Sequence, residues 1–152
     1  MSDEALWNEL LLKLSRRFME AVPHNRALGI SLDKLGPGEA YMTLPYSDKI
    51  IGHPETGVVH GGAITSLMDA CCGAAVYMKL LERARIATLD LRIDYLRPAT
   101  PGQAVVAHAE CYKTTRNVAF VRCLAYHDDP KDAVASAAAT FMILRDTKGD
   151  AT

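Results

Sequence analysis

The chain has 152 residues, of which 49% are hydrophobic and 23% are charged, proportions typical of a single folded domain. This composition argues against a disordered, collagenous or low-complexity protein. The formal net charge is −1, so no basic excess indicates a nucleic-acid partner or an anionic membrane surface.

The beginning of the chain has neither the basic nor the apolar run of a secretory signal. Among the four cysteines, Cys71 and Cys72 are adjacent, and Cys111 and Cys123 lack the spacing of a zinc ribbon or a thioredoxin motif. We therefore expect reduced thiols, a cytoplasmic protein and no cofactor. Because the weakly charged residues 51–70 still include ionisable side chains, we expect no membrane span.

The first part of the chain predicts a helix and then a hairpin. Apolar residues recur at helical spacing between Ser2, a candidate N-cap, and Pro23, where the helix is expected to end. Short strands are expected at residues 29–35 and 39–44, joined by a Gly-Pro-Gly turn. The connection at residues 45–59 is long, and loops of that length are often functional.

The second part predicts one buried helix and then four strands. Small and apolar residues from 61 to about 80 indicate the central helix. A period of two then predicts strands with hairpin turns at residues 86–95, 104–112, 118–126 and 133–144. A segregated helix beside a run of strands is typical of an α+β domain with an antiparallel sheet.

The start of the central helix is the strongest local feature of the sequence. His60 precedes Gly61 and Gly62, so backbone amides at the positive end of the helix lack side-chain cover. Such a site suits an anion or a carbonyl oxygen that gains negative charge. The alternative is that the glycines only permit close packing of the helix on the sheet.

Asp69 interrupts a run of apolar and small residues in the same helix. A carboxylate there is costly unless it is paired or used in chemistry, which favours a functional role over a merely hydrogen-bonded one. Farther on, Thr88, Asp90, Arg92 and Asp94 are expected to share one solvated face of a strand. We keep a functional role open for Thr88.

The histidines do not predict a metal centre. His53-Pro54-Glu55 starts like a zinc deaminase signature, but the Pro-Cys-x-x-Cys half is missing. His53 and His60 could share a metal only with a third ligand, which the sequence does not supply. The remaining histidines are expected to be surface or sheet residues: His24, His108 and His127.

Four short motifs together resemble one enzyme family. His60-Gly61-Gly62 is followed nine residues after His60 by Asp69, and the other three motifs are Leu28-Gly29-Ile30, Gly38-Glu39-Ala40 and Tyr95-Leu96-Arg97-Pro98-Ala99. Over about residues 25–145 the chain resembles the hotdog-fold acyl-CoA thioesterases of the phenylacetate-pathway (PaaI-like) type. The resemblance implies a long central helix wrapped by a mainly antiparallel six-stranded sheet.

The domain boundaries follow from this likeness. We expect an N-terminal helix at residues 1–24, a hotdog thioesterase domain at 25–146 and a tail at 147–152.

The resemblance also implies the chemistry, which is hydrolysis of an acyl-CoA thioester. The amide of Gly61 would polarise the thioester carbonyl, and Asp69 of the partner subunit would act as general base or nucleophile. A hydroxyl at Thr88 would help to hold the attacking water. The site would form between the subunits of a homodimer, which in this family is often paired into a homotetramer. His53 stands where relatives have an asparagine, and Glu55 is a competing acid in the same loop.

Further residues are expected to bind the substrate. His60 and Gly62 would line the site, and cations near the end of the sheet are candidates for binding the CoA phosphates: Arg92, Arg97, Arg116 and Lys113. Two alternatives remain open at this point. A hotdog hydratase or dehydratase would use His53 or His60 with Asp69, and a non-catalytic acyl-CoA-binding module would bind the ester without cleaving it.

Overall fold

The structure, a computed structural model, describes residues 2–82 and 84–145. In this part of the chain the helices are α1 (Asp3–Leu14), α2 (Pro23–Leu28) and α3 (Gly61–Leu80). The strands are β1 (Ser31–Gly36), β2 (Glu39–Leu44), β3 (Ile51–His53), β4 (Val58–Val59), β5 (Ala84–Tyr95), β6 (Val105–Thr114), β7 (Val118–Tyr126) and β8 (Ala135–Arg145). The predicted tail at residues 147–152 lies outside the described residues.

One antiparallel sheet of six strands carries the fold, in the order β1-β2-β6-β7-β8-β5. Buried and less buried residues alternate along β7 and β8, as expected for a sheet with one face on the core. On β8 the buried positions include Ala135, Ala137 and Ala139, whose small side chains let α3 lie close to the sheet. The predicted α+β architecture is confirmed.

Helix α3 forms the centre of the core. Its residues Leu67, Met68, Cys71 and Cys72 are fully buried, and the helix packs on all six strands of the sheet. By length and composition α3 could cross a membrane, and its burial against the sheet explains that apolar composition. All four cysteines are buried and free, as expected for reduced thiols.

The N-terminal arm, residues 3–28, departs from the single helix that the sequence predicts. The Ser2 cap is confirmed, because Ser2 Oγ accepts a hydrogen bond from the Ala5 amide at 3.3 Å. After Leu14, however, the backbone continues as a π-helix from Ser15 to Glu20. Pro23 then begins α2 instead of ending the helical segment, because proline is well suited to the first position of a helix.

The predicted long connection contains the small hairpin β3–β4, which is attached to the start of α3. The His60 amide donates to the Ile50 carbonyl at 2.8 Å, and the Tyr46 hydroxyl donates to the Gly57 carbonyl at 2.7 Å. A Cβ on Gly52 would lie only 2.8 Å from His60 Cα, so this close approach requires glycine. The hairpin therefore holds the residue that precedes α3.

Strand β5 contains a β-bulge between Thr88 and Asp90, which corrects one prediction. The sequence places Thr88 on the same face as Arg92 and Asp94. In the structure Thr88 and Leu91 both face α3, because the extra residue of the bulge reverses the side-chain alternation. Arg92 and Asp94 lie on the opposite face of the sheet.

Strand β5 also forms an edge of the sheet. It is 12 residues long and pairs only with β8 among the strands of the described chain. Leu89 and Tyr95 are 51% and 52% exposed. A long edge with exposed apolar side chains is a surface on which another strand can pair.

Candidate active site

The first turn of α3 presents one amide that has no partner. His60 is the N-cap, and its Nδ1 accepts a hydrogen bond from the Gly62 amide at 2.8 Å. The Gly61 amide has no acceptor among residues 2–82 and 84–145. Because it lies at the positive end of the helix dipole, this N–H can donate to a polarised carbonyl oxygen.

The peptide between Gly61 and Gly62 is held at both ends. The Gly61 carbonyl accepts hydrogen bonds from Tyr95 Oη at 2.8 Å and from Thr65 Oγ1 at 3.1 Å. These two hydroxyl oxygens are also 2.6 Å apart. A Cβ on Gly61 would lie 3.3 Å from the Tyr95 ring, so the ring covers this turn closely. The last residue of β5 thus fixes the orientation of the helix start.

Asp69 lies two turns farther along α3 and is half-buried. Thr88 Oγ1 donates a hydrogen bond to Asp69 Oδ1 at 2.9 Å. The bulge in β5 makes this contact possible, because it turns Thr88 toward the helix. A donor on Oδ1 fixes the carboxylate and leaves Oδ2 for a water molecule or a substrate atom.

Two clefts lie along this face of α3. The Asp69 cleft has a volume of about 490 Å³ and is lined by Val22, His24, Asn25, Thr65, Ser66, Asp69, Ala70, Thr88 and Leu91. The helix-start cleft has a volume of about 260 Å³ and is lined by His24, Leu28, Lys49, Ile50, Ile51, His60, Gly62, Ala63 and Ser66. His24 and Ser66 belong to both linings, and their side chains are hydrogen-bonded at 2.8 Å.

The N-terminal arm places His24 at this junction. Helix α2 is anchored by Asn25, whose Nδ2 donates to the Phe18 carbonyl at 3.0 Å, and it ends at Gly29 in the left-handed region. The sequence predicts His24 as a surface or sheet residue. That expectation is confirmed, because His24 is exposed; it lies at the start of helix α2 and lines both clefts.

Gly61 and Asp69 are too far apart within one chain to act on the same atom. They are separated by eight residues of α3, which corresponds to about 12 Å along the helix axis. A reacting carbon must lie about 3 Å from both the attacking group and the oxyanion donor. A single chain therefore presents two halves of a possible site rather than a complete one.

The other predicted site residues lie outside this pair of clefts. His53 is the last residue of β3, and its Nδ1 is 3.1 Å from Thr56 Oγ1 in the turn that follows. Arg92 pairs with Asp94 on the outer face of the sheet. Arg97 makes a bidentate contact with Asp132 at 3.0 and 3.1 Å.

Arg116 lies exposed in the turn between β6 and β7. Lys113 is exposed near the end of β6. In residues 2–82 and 84–145, no group of three histidine, cysteine or acidic side chains could hold a metal ion.

Sequence reasoning missed three residues of the site: Tyr95, His24 and Ser66. Tyr95 belongs to one of the family motifs, but the motif does not say that its hydroxyl reaches Gly61. Ser66 follows Gly62 by four residues and precedes Asp69 by three, so helical spacing could have placed it on their face. Nothing local in the sequence indicates that His24 contacts it.

Comparisons with known proteins identify the family of this chain. The thioesterase superfamily model matches residues 56–134. The medium/long-chain acyl-CoA thioesterase YigI of Escherichia coli (strain K12) is 30% identical over 149 residues, which span 89% of this chain and 95% of the relative.

Solved structures are similar to this chain in fold. A crystal structure from Pseudomonas aeruginosa is 47% identical with a TM-score of 0.78, covering 87% of this chain and 98% of that one. The phenylacetic acid degradation protein PaaI of Thermus thermophilus, solved in a mutant form, is 27% identical with a TM-score of 0.69, covering 80% and 98%. These matches confirm the predicted fold and the resemblance on which it rests.

Proposed function

This chain belongs to the thioesterase superfamily and is a thioesterase, and on that premise we propose that it hydrolyses acyl-CoA at sites shared between two subunits. The observation that carries the proposal is that α3 bears two complementary features eight residues apart. These are the unpartnered Gly61 amide at the helix start and the Asp69 carboxylate held by Thr88. Thioester hydrolysis needs an oxyanion donor and a base or nucleophile, which are the two functions offered here.

A homodimer would bring the two halves together. Strand β5 is the natural contact, because it is a long edge with exposed apolar residues. On this strand Thr88 lies next to Asp69 and binds it, and Tyr95 lies next to Gly61 and binds it. Antiparallel pairing of two β5 strands about a two-fold axis between Leu91 and Arg92 would set Thr88 of one subunit opposite Tyr95 of the other. Asp69 of one subunit would then approach Gly61 of the other.

The reaction then follows from these positions. With Asp69 as general base, Oδ2 takes a proton from water while the water oxygen attacks the thioester carbon. The carbonyl oxygen becomes an oxyanion that accepts the Gly61 hydrogen bond. Collapse of this intermediate breaks the C–S bond, and the departing thiolate takes the proton back from Asp69, so the products are the free acid and CoA and the carboxylate is regenerated. With Asp69 as nucleophile, its carboxylate would displace CoA thiolate to form an acyl-enzyme anhydride, and water would then cleave this anhydride to release the free acid and regenerate Asp69.

The remaining expectations belong to the same proposal. Arg92, Arg97 and Arg116 stay candidates for the CoA phosphates, and pairing of dimers into a homotetramer would follow the family resemblance. The hydratase alternative receives no support from the histidines. His60 Nδ1 already accepts the Gly62 amide, and His53 Nδ1 lies within hydrogen-bond distance of Thr56.

Release of free thiol from a panel of acyl-CoA esters tests the activity. Asp69→Asn should lower kcat by at least about 10²-fold, the usual contribution of a positioned acid or base. Asp128→Asn, an exposed acid in the turn after β7, is the matched control and should leave kcat unchanged. Equal turnover by wild type and Asp69→Asn would contradict the role of Asp69. Hydration of an enoyl-CoA without thiol release would favour the hydratase instead.

A mixing experiment tests the shared site. Gly61→Pro removes the amide hydrogen at a helix position where proline is tolerated and keeps Asp69, and its thermal unfolding shows whether the added Cβ, 3.3 Å from the Tyr95 ring, disturbs the fold. Mixed with Asp69→Asn, it should form heterodimers with one intact site each. Random exchange would then restore about one quarter of wild-type activity, because half of the dimers are mixed and each has one site of two. No restoration, despite subunit exchange, would show that one chain supplies both groups.

A further inference from the structure

We propose that His24 is a substrate-binding residue which accepts a hydrogen bond from the thioester substrate where the two clefts meet. This inference rests on the proposed acyl-CoA hydrolysis and extends its site to the N-terminal arm. His24 lies outside residues 56–134, the segment that the superfamily model matches. It is therefore a feature of this chain's arm rather than of the matched core.

The hydrogen bonds of Ser66 determine which ring nitrogen of His24 carries the proton. Ser66 has one hydroxyl proton, and its Oγ donates to the Gly62 carbonyl at 3.0 Å. While Ser66 donates that proton to Gly62, the 2.8 Å contact between Ser66 Oγ and His24 Nε2 is made with the proton on Nε2. In the neutral ring Nδ1 is consequently an acceptor. No side chain or amide in residues 2–82 and 84–145 donates to it.

The position of His24 makes this free acceptor relevant to the substrate. Ser66 lies between Gly62 and Asp69 along α3, and the His24 side chain contacts the Ser66 hydroxyl. His24 and Ser66 are the residues common to the Asp69 cleft and the helix-start cleft. Because His24 lines both clefts, a substrate chain that occupies either cleft and extends along α3 must pass the imidazole.

The group that His24 would recognise is a hydrogen-bond donor on the substrate chain. An acyl-CoA can offer such a donor from two sources, the amide N–H groups of the pantetheine arm and a hydroxyl on the acyl chain. Both would bind Nδ1 in the same way. One neutral hydrogen bond contributes about 0.5–1.5 kcal/mol, which corresponds to about a two- to tenfold change in affinity.

Two substitutions separate the hydrogen bond of His24 to the substrate from its hydrogen bond to Ser66. In His24→Gln the side-chain amide can still donate to Ser66, but no acceptor stands at the Nδ1 position. In His24→Asn the amide oxygen stands near the Nδ1 position, and the bond to Ser66 is lost. The control is His108→Gln, which alters a histidine on the outer sheet face that contacts Glu39.

Steady-state kinetics with three esters then decide the proposal: hexanoyl-CoA, 3-hydroxyhexanoyl-CoA and S-ethyl thiohexanoate. His24→Gln should raise KM for at least one CoA ester about three- to tenfold, with kcat changed less than twofold and His24→Asn closer to wild type. An effect on both CoA esters would identify a pantetheine amide, and an effect on the hydroxyacyl ester alone would identify the acyl hydroxyl. An unchanged KM, or an equal rise for S-ethyl thiohexanoate, which has no donor, would overturn the proposal.

Equilibrium binding keeps this test independent of turnover. Hexanoyl-CoA and 3-hydroxyhexanoyl-CoA can be titrated into Asp69→Asn with and without His24→Gln, whether or not wild type releases thiol. The proposal expects the Kd for the affected ester to rise by the same factor as its KM. If no thiol is released but Kd rises in this way, the proposed hydrolysis is contradicted and the His24 contact is not. If no thiol is released and Kd does not rise, both proposals are contradicted.

Discussion

Tyr95→Phe tests whether the last residue of β5 stabilises the start of α3. The substitution keeps the ring that covers Gly61 and removes only the hydroxyl. That hydroxyl donates to the Gly61 carbonyl at 2.8 Å and lies 2.6 Å from Thr65 Oγ1. Gly61 keeps a second donor, Thr65 Oγ1 at 3.1 Å, so no carbonyl is left unpaired. We therefore expect the free energy of unfolding to fall by about 0.5–1.5 kcal/mol, the range for one net hydrogen bond.

The corresponding fall in Tm is a few degrees, since about 1 kcal/mol shifts the Tm of a chain of this size by about 2–4 °C. Catalysis should respond through kcat, because the held peptide adjoins the Gly61 donor. Thermal unfolding and thiol release measure the two effects.

Tyr112→Phe is the matched control, because Tyr112 is also exposed on a strand and its ring contacts Arg122 without using the hydroxyl. In a double-mutant cycle with Thr65→Val, the two losses should not add, because both hydroxyls bond to the same carbonyl. An unchanged Tm and kcat in Tyr95→Phe, or strict additivity with Thr65→Val, would refute this reasoning.

Three further predictions concern other parts of the site and core. Thr88→Val should lower kcat/KM for acyl-CoA about tenfold or more without unfolding the chain, because Asp69 loses its donor at 2.9 Å. Gly52→Ala should cost about 1–3 kcal/mol in chemical denaturation, because its Cβ would lie 2.8 Å from His60 Cα. Hydrogen bonds with neighbouring thiols and burial raise the pKa of Cys123 well above its usual value. The unfolding free energy should therefore fall as pH rises above about 8.5, where the unfolded chain ionises first.

Each of these has its own control and contrary result. Thr88→Ser keeps a hydroxyl and should retain more activity than Thr88→Val, whereas equal loss would indicate a packing effect. Gly73→Ala adds a Cβ at an ordinary contact distance of 3.7 Å and should not destabilise the chain as Gly52→Ala does. Cys123→Ala should flatten the fall in stability at alkaline pH, and an unchanged slope would assign it to other groups.

The sequence predicts the elements whose signals are local. The central helix is confirmed at Gly61–Leu80 because its apolar pattern and its His-Gly-Gly start are both local features. Strand β2 and strand β7 have the expected bounds for the same reason, since alternation and turn residues lie within each hairpin. Asp69 could be selected from sequence as a candidate site residue because a carboxylate within an apolar helix is unusual whatever the helix packs against.

The parts that escaped prediction depend on residues far apart in the chain. The bulge in β5 follows from its register against β8, which alternation within β5 does not encode. The contact between His24 and Ser66 joins residues 42 positions apart, and that between Tyr95 and Gly61 joins residues 34 positions apart. Pro23 supports two interpretations from sequence, because proline can end one helix and begin another.

The start of α3 is held by hydrogen bonds to three separate parts of the chain: α2, the residue before β3 and the last residue of β5. The interior of the helix rests instead on the apolar core. Gentle warming or dilute denaturant can therefore disorder an edge strand or the N-terminal arm while the core persists. We expect hydrolysis to cease at a lower temperature than the one at which far-ultraviolet circular dichroism reports loss of the helix.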